Sequence, residues 1–226
     1  MNEEKKKLRE HYMAVRRSVA QSEAERLSAR IAMNIFSLPR LLESNLIMLY
    51  CTMGTEVDSA PLIDLVISSG RGVALPYCRK DGSIGIGRIF TPRGEDLAIG
   101  AYGILEPVAR LRDNVGTEQL GAIVCPGLAF DETCTRLGHG GGIYDRFLKQ
   151  AKGNALIVGC AFDCQINGEP LPREEHDITM DVVVTETRAF PQGACPAIKE
   201  TDSQDDEEGK ISEDGGKGFD NKSVVI

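Results

Sequence analysis

A glycine-rich stretch, RLGHGGGIYDRFL at residues 136–148, holds the residue types best suited to chemistry. Four glycines between positions 138 and 142 would let backbone N–H groups converge on an anion without Cβ atoms in the way. The helix-like run that follows would add the partial positive charge of its N-terminus. Arg136 can bind phosphate through two hydrogen bonds, and Asp145 can hold Mg²⁺ together with phosphate oxygens. The pattern therefore predicts a site for a nucleotide phosphate.

The same glycines could instead serve only a tight turn that requires positive φ angles. One or two glycines would be enough for that, and the flanking arginine and aspartate would then have no purpose. The stretch is not a Walker loop, and it is not a dinucleotide fingerprint because Ile143 stands where the last glycine is required. Spacing alone thus predicts a phosphate site and leaves the reaction open.

The apolar pattern of the chain predicts the elements that must position this stretch. Continuous apolar runs predict buried strands, and apolar residues three and four apart predict helices. The predicted strands are 45–51, 72–77, 84–90, 121–126, 155–162 and 181–186; the predicted helices are 3–19, one capped by Ser22, one starting at Pro39, 59–69 and 142–151; and 98–107 is predicted as loop and turn.

This alternation favours an α/β fold, with a mostly parallel, Rossmann-like open sheet and helices on both faces. Open parallel sheets bind ligands beyond the carboxyl ends of their strands. The glycine stretch begins ten residues after one such end, at Pro126. We therefore expect the phosphate site at that edge of the sheet.

The charge distribution divides the chain into a body and an acidic tail. The net charge is −8, and residues 199–226 hold nine acidic residues against four lysines, so the rest carries only −3. A near-neutral body argues against a nucleic-acid partner, and an anionic substrate would need a local cluster of cations. We predict one domain over residues 1–197 and a disordered tail over residues 198–226, which has too few apolar residues to fold.

Composition argues against several other classes of protein. No apolar run reaches about 18 residues, so we expect no membrane span, and the charged start of the chain does not resemble a signal peptide. We expect a cytoplasmic protein. The seven cysteines are scattered without a C-x-x-C pair, which indicates neither a zinc site nor a thioredoxin motif. We expect Cys51, Cys125 and Cys160 to be reduced residues of the core.

The longer segment PGLAFDETCTRLGHGGGIYDRFL resembles the signature of the 5-formyltetrahydrofolate cyclo-ligase family. The family pattern opens with Pro-Gly-x-x-Phe-Asp and continues with R-L-G-x-G-x-G-[YF]-Y-D. Further family elements occur in the same order, namely K-x-x-L-R at residues 5–9, an acidic run at 56–59, G-I-x-E-P at 103–107 and Glu-His-Asp-Ile at 175–178. The resemblance covers about residues 3–190.

This resemblance implies an enzyme that uses MgATP to convert 5-formyltetrahydrofolate to 5,10-methenyltetrahydrofolate, with release of ADP and phosphate. Phosphorylation of the formyl oxygen turns a poor leaving group into a good one, and a neighbouring folate nitrogen then expels phosphate. The protein need only position two substrates and neutralise charge, so no protein nucleophile is required. The implied cofactors are ATP and Mg²⁺, the implied partners are these small molecules, and a monomer is expected.

The resemblance also implies a set of site residues. Arg136 and Asp145 are expected to be catalytic, and Asp145 and Asp177 are expected to bind the metal. The expected ATP contacts are Lys5, Arg9, Arg136, Leu137, Gly138, His139, Gly140, Gly141, Gly142, Ile143 and Tyr144. The expected folate contacts are Met53, Asp58, Glu56, His139, Gly140, Gly141, Gly142 and Ile143.

Each assignment has a plain structural alternative. Lys5 and Arg9 could form a solvated basic helix face, and Asp177 could be a turn carboxylate. Asp58 could cap helix 59–69, with Glu56 as the second candidate for the pterin. Tyr144 could be a core residue and His139 an exposed loop residue.

One residue departs from the family pattern. Most members carry an aromatic residue where this chain has Ile143, and that ring is expected near the folate. Its absence would weaken substrate binding by about 1 kcal/mol, the usual scale of an aromatic contact. The alternative function is therefore a family-like protein that binds nucleotide or folate without turnover.

Overall fold

The computed structural model describes residues 3–92, 94–100, 103–151, 153, 155–196 and 198. The helices are α1 (Glu3–Arg17), α2 (Gln21–Phe36), α3 (Pro39–Leu42), α4 (Ala60–Ser68) and α5 (Ile143–Ala151). The strands are β1 (Leu46–Met48), β2 (Gly72–Cys78), β3 (Ile84–Ile89), β4 (Leu97–Ile99), β5 (Leu105–Pro107), β6 (Ala122–Pro126), β7 (Ala129–Asp131), β8 (Arg136–Leu137), β9 (Leu156–Cys160), β10 (Ile166–Asn167), β11 (Val182–Val184) and β12 (Ala189–Phe190).

Seven strands form the main sheet in the order β12-β11-β9-β6-β1-β2-β3. The five strands from β11 to β2 run parallel, and the edge strands β12 and β3 pair antiparallel. Each of the six predicted strand segments contains one strand of this sheet. The prediction of a mostly parallel α/β sheet is confirmed.

Side chains alternate between the two faces of the sheet, as the period of two requires. Ile47 and Val73 pack with α2 and α4 in one buried cluster. Met48 and Ala74 point the other way and pack with α5 in a second cluster. Helices therefore cover both faces, as predicted, and the central strands are apolar throughout because neither face meets water.

Several short elements were not predicted. Segment 98–107 was predicted as loop and turn, but it contains most of an antiparallel hairpin formed by β4 and β5. β7, β8 and β10 form a small second sheet beyond the end of β6. Strands of two or three residues are too short for apolar periodicity to reveal them. The predicted cap at Ser22 is also wrong, since α2 begins at Gln21 and no side chain caps it.

The predictions for the tail, the cysteines and a membrane span can be compared with the structure only in part. Residues 199–226 of the predicted tail lie outside the described residues. Cys125 and Cys160 are buried, Cys51 is partly buried, and all seven cysteines are free thiols. Within the described part of the chain, no helix combines the length and the apolar character needed to cross a membrane.

Candidate active site

A cavity of about 720 Å³ lies beyond the carboxyl ends of β1, β2 and β6. This is the edge of the sheet where the sequence predicts a ligand. The predicted site residues that line the cavity are Lys5, Arg9, Met53, Glu56, Arg136, Leu137, Gly138, His139, Gly140, Gly141, Gly142, Ile143, Tyr144, Asp145 and Asp177. The structure thus brings together residues that are up to 172 positions apart in the chain.

The glycine turn joins β8 to α5 along one wall of the cavity. Gly140 and Gly142 have φ angles of +100° and +61°, so these two positions require glycine for their backbone conformation. Arg9 donates from Nε to the carbonyl of Gly138 at 2.9 Å and lies over the turn. A Cβ at Gly140 would lie 3.3 Å from the Arg9 guanidinium carbon. The turn and Arg9 therefore form one surface, at which backbone and cation approach closely.

Arg136 and Asp145 form an ion pair at the base of this turn. The Arg136 Nη2 to Asp145 Oδ2 distance is 2.9 Å, and both side chains are largely buried. The Arg136 guanidinium also lies 5.5 Å from the ring centre of Tyr144. Its Nε is buried, and among the described residues it has no hydrogen-bond partner. Asp145 Oδ1 accepts a hydrogen bond from the Ile178 N–H at 3.2 Å.

A second ion pair links α1 to the loop that precedes β11. Lys5 Nζ lies 2.7 Å from Asp177 Oδ2 and 3.2 Å from Glu174 Oε1. Lys5 is only 6% exposed, so the alternative of a solvated basic face is wrong for this residue. Burial alone would raise the pKa of Asp177, but hydrogen bonds from Lys5 and the Glu174 N–H outweigh it and lower the pKa. Asp177 is therefore a carboxylate at neutral pH.

These two carboxylates have the chemistry of a magnesium site. Asp145 and Asp177 both line the cavity, and the residue after Asp177 donates its N–H to Asp145. The described residues contain no group of three or more potential metal ligands. Mg²⁺ prefers one or two carboxylates, with phosphate and water oxygens completing its shell. The residues present fit a metal ion that arrives together with a phosphate ligand.

A further buried carboxylate, Glu56, also lines the cavity. Glu56 is 9% exposed, and its Oε2 accepts a hydrogen bond from the Met53 N–H at 3.0 Å. Its Oε1 lies 3.9 Å from His139 Nε2 on the glycine turn. That distance exceeds a hydrogen bond, so Oε1 can accept one from a ligand. Glu56 thus lines the cavity close to His139 on the glycine turn.

The structure does not bring Asp58 into the cavity. Its Oδ1 accepts hydrogen bonds from the Ala60 N–H at 3.0 Å and from Thr52 Oγ1 at 3.2 Å. It therefore satisfies a backbone donor at the start of α4, as the alternative assignment predicted. The two carboxylates are two positions apart, and the turn at 53–56 directs Glu56, not Asp58, toward the ligand space.

The sequence profile of the 5-formyltetrahydrofolate cyclo-ligase family matches residues 1–186. The chain belongs to this family. A 5-formyltetrahydrofolate cyclo-ligase of Escherichia coli is 29% identical over 77% of this chain and 96% of its own length. A probable 5-formyltetrahydrofolate cyclo-ligase of Schizosaccharomyces pombe is 31% identical over 70% of this chain and 83% of its own length.

A solved cyclo-ligase structure supports the same assignment at the level of fold. The NMR structure of Aquifex aeolicus 5,10-methenyltetrahydrofolate synthetase superposes with a TM-score of 0.72 and 39% sequence identity. The match covers 82% of this chain and 91% of that chain. The resemblance stated from the motifs is confirmed, and the chain is an enzyme of the cyclo-ligase family.

Two tyrosines shape the cavity of this cyclo-ligase. Tyr144 lines it beside Arg136, and burial raises its pKa well above the usual value. Tyr50, which sequence reasoning missed, also lines it, and burial likewise raises its pKa. Tyr50 Oη donates to the Val57 carbonyl at 2.7 Å. Both phenols therefore remain neutral. The sequence could have indicated Tyr50 as a site residue, because it lies just beyond the carboxyl end of β1.

A further wall that the sequence did not predict comes from two hairpins. Tyr77 and Cys78 contribute from the end of β2, and Leu105 and Glu106 contribute from β5. Glu106 accepts hydrogen bonds from the Cys78 N–H at 3.1 Å and from Arg112 at 3.1 Å. These bonds hold the β4–β5 hairpin against the end of β2. Ile143, the departure from the family pattern, is 38% exposed and lines the cavity at the start of α5.

Proposed function

We propose that this chain converts 5-formyltetrahydrofolate and ATP to 5,10-methenyltetrahydrofolate, ADP and phosphate. In the first step the formyl oxygen attacks the γ-phosphorus of ATP, and ADP leaves. The folate N10 then attacks the activated formyl carbon, and the C–O bond to phosphate breaks. The N10 proton is lost with the phosphate, and the product carries the positive charge of the methenyl bridge.

The observation that carries this proposal is one cavity lined by two unlike sets of groups. Arg9 and Arg136 place cations at the glycine turn, and cations suit phosphate. Glu56 adds a buried carboxylate to the same cavity, and a carboxylate suits the N–H donors of a pterin. The volume of about 720 Å³ lies within the range of pockets that enclose ligands of drug size or larger. Both substrates can therefore meet inside one enclosure.

At the glycine turn, this chain stabilises charge and does not act as a nucleophile. Arg136 is largely buried, so its charge acts in a medium where water screens it poorly. Lys5 and Arg9 enter from α1 and place two further cations along the same wall. Such preorganised charge supports phosphoryl transfer without reorganisation at the moment of reaction.

Asp145 and Asp177 are the residues that would hold Mg²⁺ in this proposal. When bound, the ion would supply positive charge to the phosphate oxygens and align them for transfer. Both carboxylates line the cavity, and each is neutralised by a cation that is itself proposed to bind phosphate.

The direct test measures formation of methenyltetrahydrofolate by its absorbance with purified protein, MgATP and 5-formyltetrahydrofolate. We expect product to form in proportion to ADP, and we expect omission of Mg²⁺ to abolish it. Nucleotide binding without product would instead support the alternative of a protein that binds without turnover, for which Ile143 is the motivating residue. An Ile143→Tyr variant then asks whether the aromatic ring restores product formation.

A paired substitution tests the assignment of Glu56 to the folate. We predict that Glu56→Gln raises KM for 5-formyltetrahydrofolate by about tenfold or more, since a charge-assisted hydrogen bond is lost. Asp58→Asn is the matched control, because Asp58 accepts from the Ala60 N–H at the start of α4 and does not line the cavity. It should leave stability and KM near their wild-type values, because asparagine keeps the Oδ1 acceptor. An equal rise of KM in both variants would contradict the assignment.

A further inference from the structure

Arg16 is a buried cation that the mechanism leaves unused. It lies on α1, is 5% exposed and does not line the cavity. Its Nε donates to Thr55 Oγ1 at 3.0 Å, and its Nη1 donates to the carbonyl of Gly127 at 3.2 Å. A buried arginine is costly unless its donors are satisfied, so contacts this specific need an explanation.

The two acceptors of Arg16 belong to two separate segments that line the cavity, one with Glu56 and one with Pro126 and Gly127. Thr55 immediately precedes Glu56 in the turn at 53–56. Gly127 follows Pro126, whose carbonyl accepts a hydrogen bond from Arg136 at 3.5 Å. Arg16 and Arg136 therefore hold consecutive carbonyls of one chain turn. The Arg16 guanidinium thus joins the turn that carries Glu56 to the segment held by Arg136, where Gln165 also donates to the Gly127 carbonyl at 2.9 Å.

Electrostatics link Arg16 to Glu56 in particular. Within the described part of the chain, no carboxylate lies within 4.0 Å of Arg16. Burial lowers the pKa of Arg16, and the nearby charge of Glu56 is the strongest opposing influence. The two charges therefore stabilise each other at a distance, without an ion pair that would occupy the Glu56 oxygens. Neither Glu56 oxygen is taken up in an ion pair with Arg16, so its Oε1 can still accept a ligand donor.

We propose that Arg16 is a positioning residue for the folate substrate: it holds the turn at 53–56 against Gly127 and thereby aims the Glu56 carboxylate into the cavity. This inference depends on the proposed function, since it concerns the substrate assigned to Glu56. Arg16 acts through Glu56 and touches no substrate itself. Its loss should weaken binding of 5-formyltetrahydrofolate more than binding of ATP.

The test compares Arg16→Met and Arg16→Lys with Arg17→Met, a matched change at the exposed neighbour on α1. We expect Arg16→Met to raise KM for 5-formyltetrahydrofolate about tenfold, the usual effect of losing hydrogen bonds to a charged group. KM for ATP should change less than about twofold, and Arg17→Met should match the wild type in both. Arg16→Lys keeps the charge and should recover part of the loss. Equal effects on both substrates would indicate a merely structural role and overturn the proposal.

A double-mutant cycle with Glu56→Gln tests whether the effect of Arg16→Met on KM for 5-formyltetrahydrofolate depends on Glu56. If Arg16 acts through Glu56, Arg16→Met should add less than about threefold in the Glu56→Gln background. Full additivity would overturn the proposal. If Arg16→Met fails to fold, Thr55→Val replaces it, because Thr55 is exposed and its change removes only one acceptor. We expect Thr55→Val to raise the same KM about threefold, and no change would count against the proposal.

The same comparison separates failure of this inference from failure of the proposed function. Wild-type turnover is measured in the same assay, and its absence would reject the proposed reaction alone. In that case calorimetry with 5-formyltetrahydrofolate replaces KM with Kd, which needs no turnover. We expect the same tenfold weakening by Arg16→Met, and an unchanged Kd would overturn the inference.

Discussion

Replacing Lys5 with methionine removes the cation that joins α1 to the loop before β11. Lys5 Nζ contacts Asp177 Oδ2 at 2.7 Å and Glu174 Oε1 at 3.2 Å, and the side chain is almost fully buried. Methionine retains an unbranched apolar stem of similar length, so it fills the same space without the charge. The change thus isolates the electrostatic part of the contact.

The magnitude follows from the exposure of the two partners. Asp177 is 17% exposed, so its lost hydrogen bond is poorly replaced by water, whereas Glu174 at 46% exposure is readily solvated. A hydrogen bond between charged groups contributes about 2 kcal/mol. For a domain of this size, we expect the melting temperature to fall by about 4–8 °C. We expect KM for ATP to rise at least about tenfold, since the same cation is proposed to contact phosphate.

The pH dependence of the free energy of unfolding gives a second, independent test of the contact between Lys5 and Asp177. The pKa of Asp177 is lowered in the folded chain, so its contribution to stability is fully present above its unfolded pKa, about 3.9. That contribution is lost as pH falls through the lower folded pKa. The free energy of unfolding should therefore differ between wild type and Lys5→Met most at neutral pH. The difference should shrink below about pH 4.

The assay pairs urea unfolding at pH 7 and pH 3 with initial rates at varied ATP. Lys6→Met is the matched control, because Lys6 is the exposed neighbour of Lys5 on α1. It should leave stability and KM for ATP near their wild-type values. If both variants behave alike, the contact carries neither stability nor binding, and the reasoning is refuted. A loss of stability without a change in KM would limit Lys5 to a structural role.

Three further predictions concern the glycine turn, the metal and the tail. Asp145→Asn removes the charge paired with Arg136, so product formation should fall at least about a hundredfold even at high Mg²⁺; near-normal rates would reject the metal assignment. Gly140→Ala places a Cβ at φ +100° beside the turn and should weaken ATP binding in calorimetry, while Gly168→Ala, with open space around it, should not. Truncation of residues 199–226 should leave turnover unchanged, since the family match ends at residue 186, and a large loss of rate would contradict the proposed single catalytic domain.

The sheet was predictable because burial on both faces leaves a clear record in the sequence. Strands such as β6 and β9 are apolar at almost every position, and a run of that kind can be accommodated only between two layers of helices. The glycine turn was also predictable, since Gly140 and Gly142 adopt φ angles that other residues avoid. The apolar strands and the glycine turn depend on local backbone conformation and composition, so residues adjacent in the sequence are enough to predict them.

The partners of the site residues were not predictable in the same way. Glu56 and Asp58 have the same chemistry and lie two positions apart, yet only the first faces the cavity. Periodicity cannot decide between them, because they lie in a loop whose path is set by contacts with Arg16, Ser28 and Tyr50. The contacts from Arg16 and Ser28 join residues 39 and 30 positions apart, so no short segment contains them.

The charge pattern of the cavity favours one form of nucleotide. Arg136 is paired with Asp145, and Lys5 is paired with Asp177. Phosphate that displaced these carboxylates from their cations would leave each without its partner, and a partly buried carboxylate left without a partner is costly. Phosphate that arrives with a divalent cation offers each displaced carboxylate a new partner, so no buried charge is left alone. In the proposed reaction, the metal ion therefore serves the carboxylates of the protein as much as the phosphate.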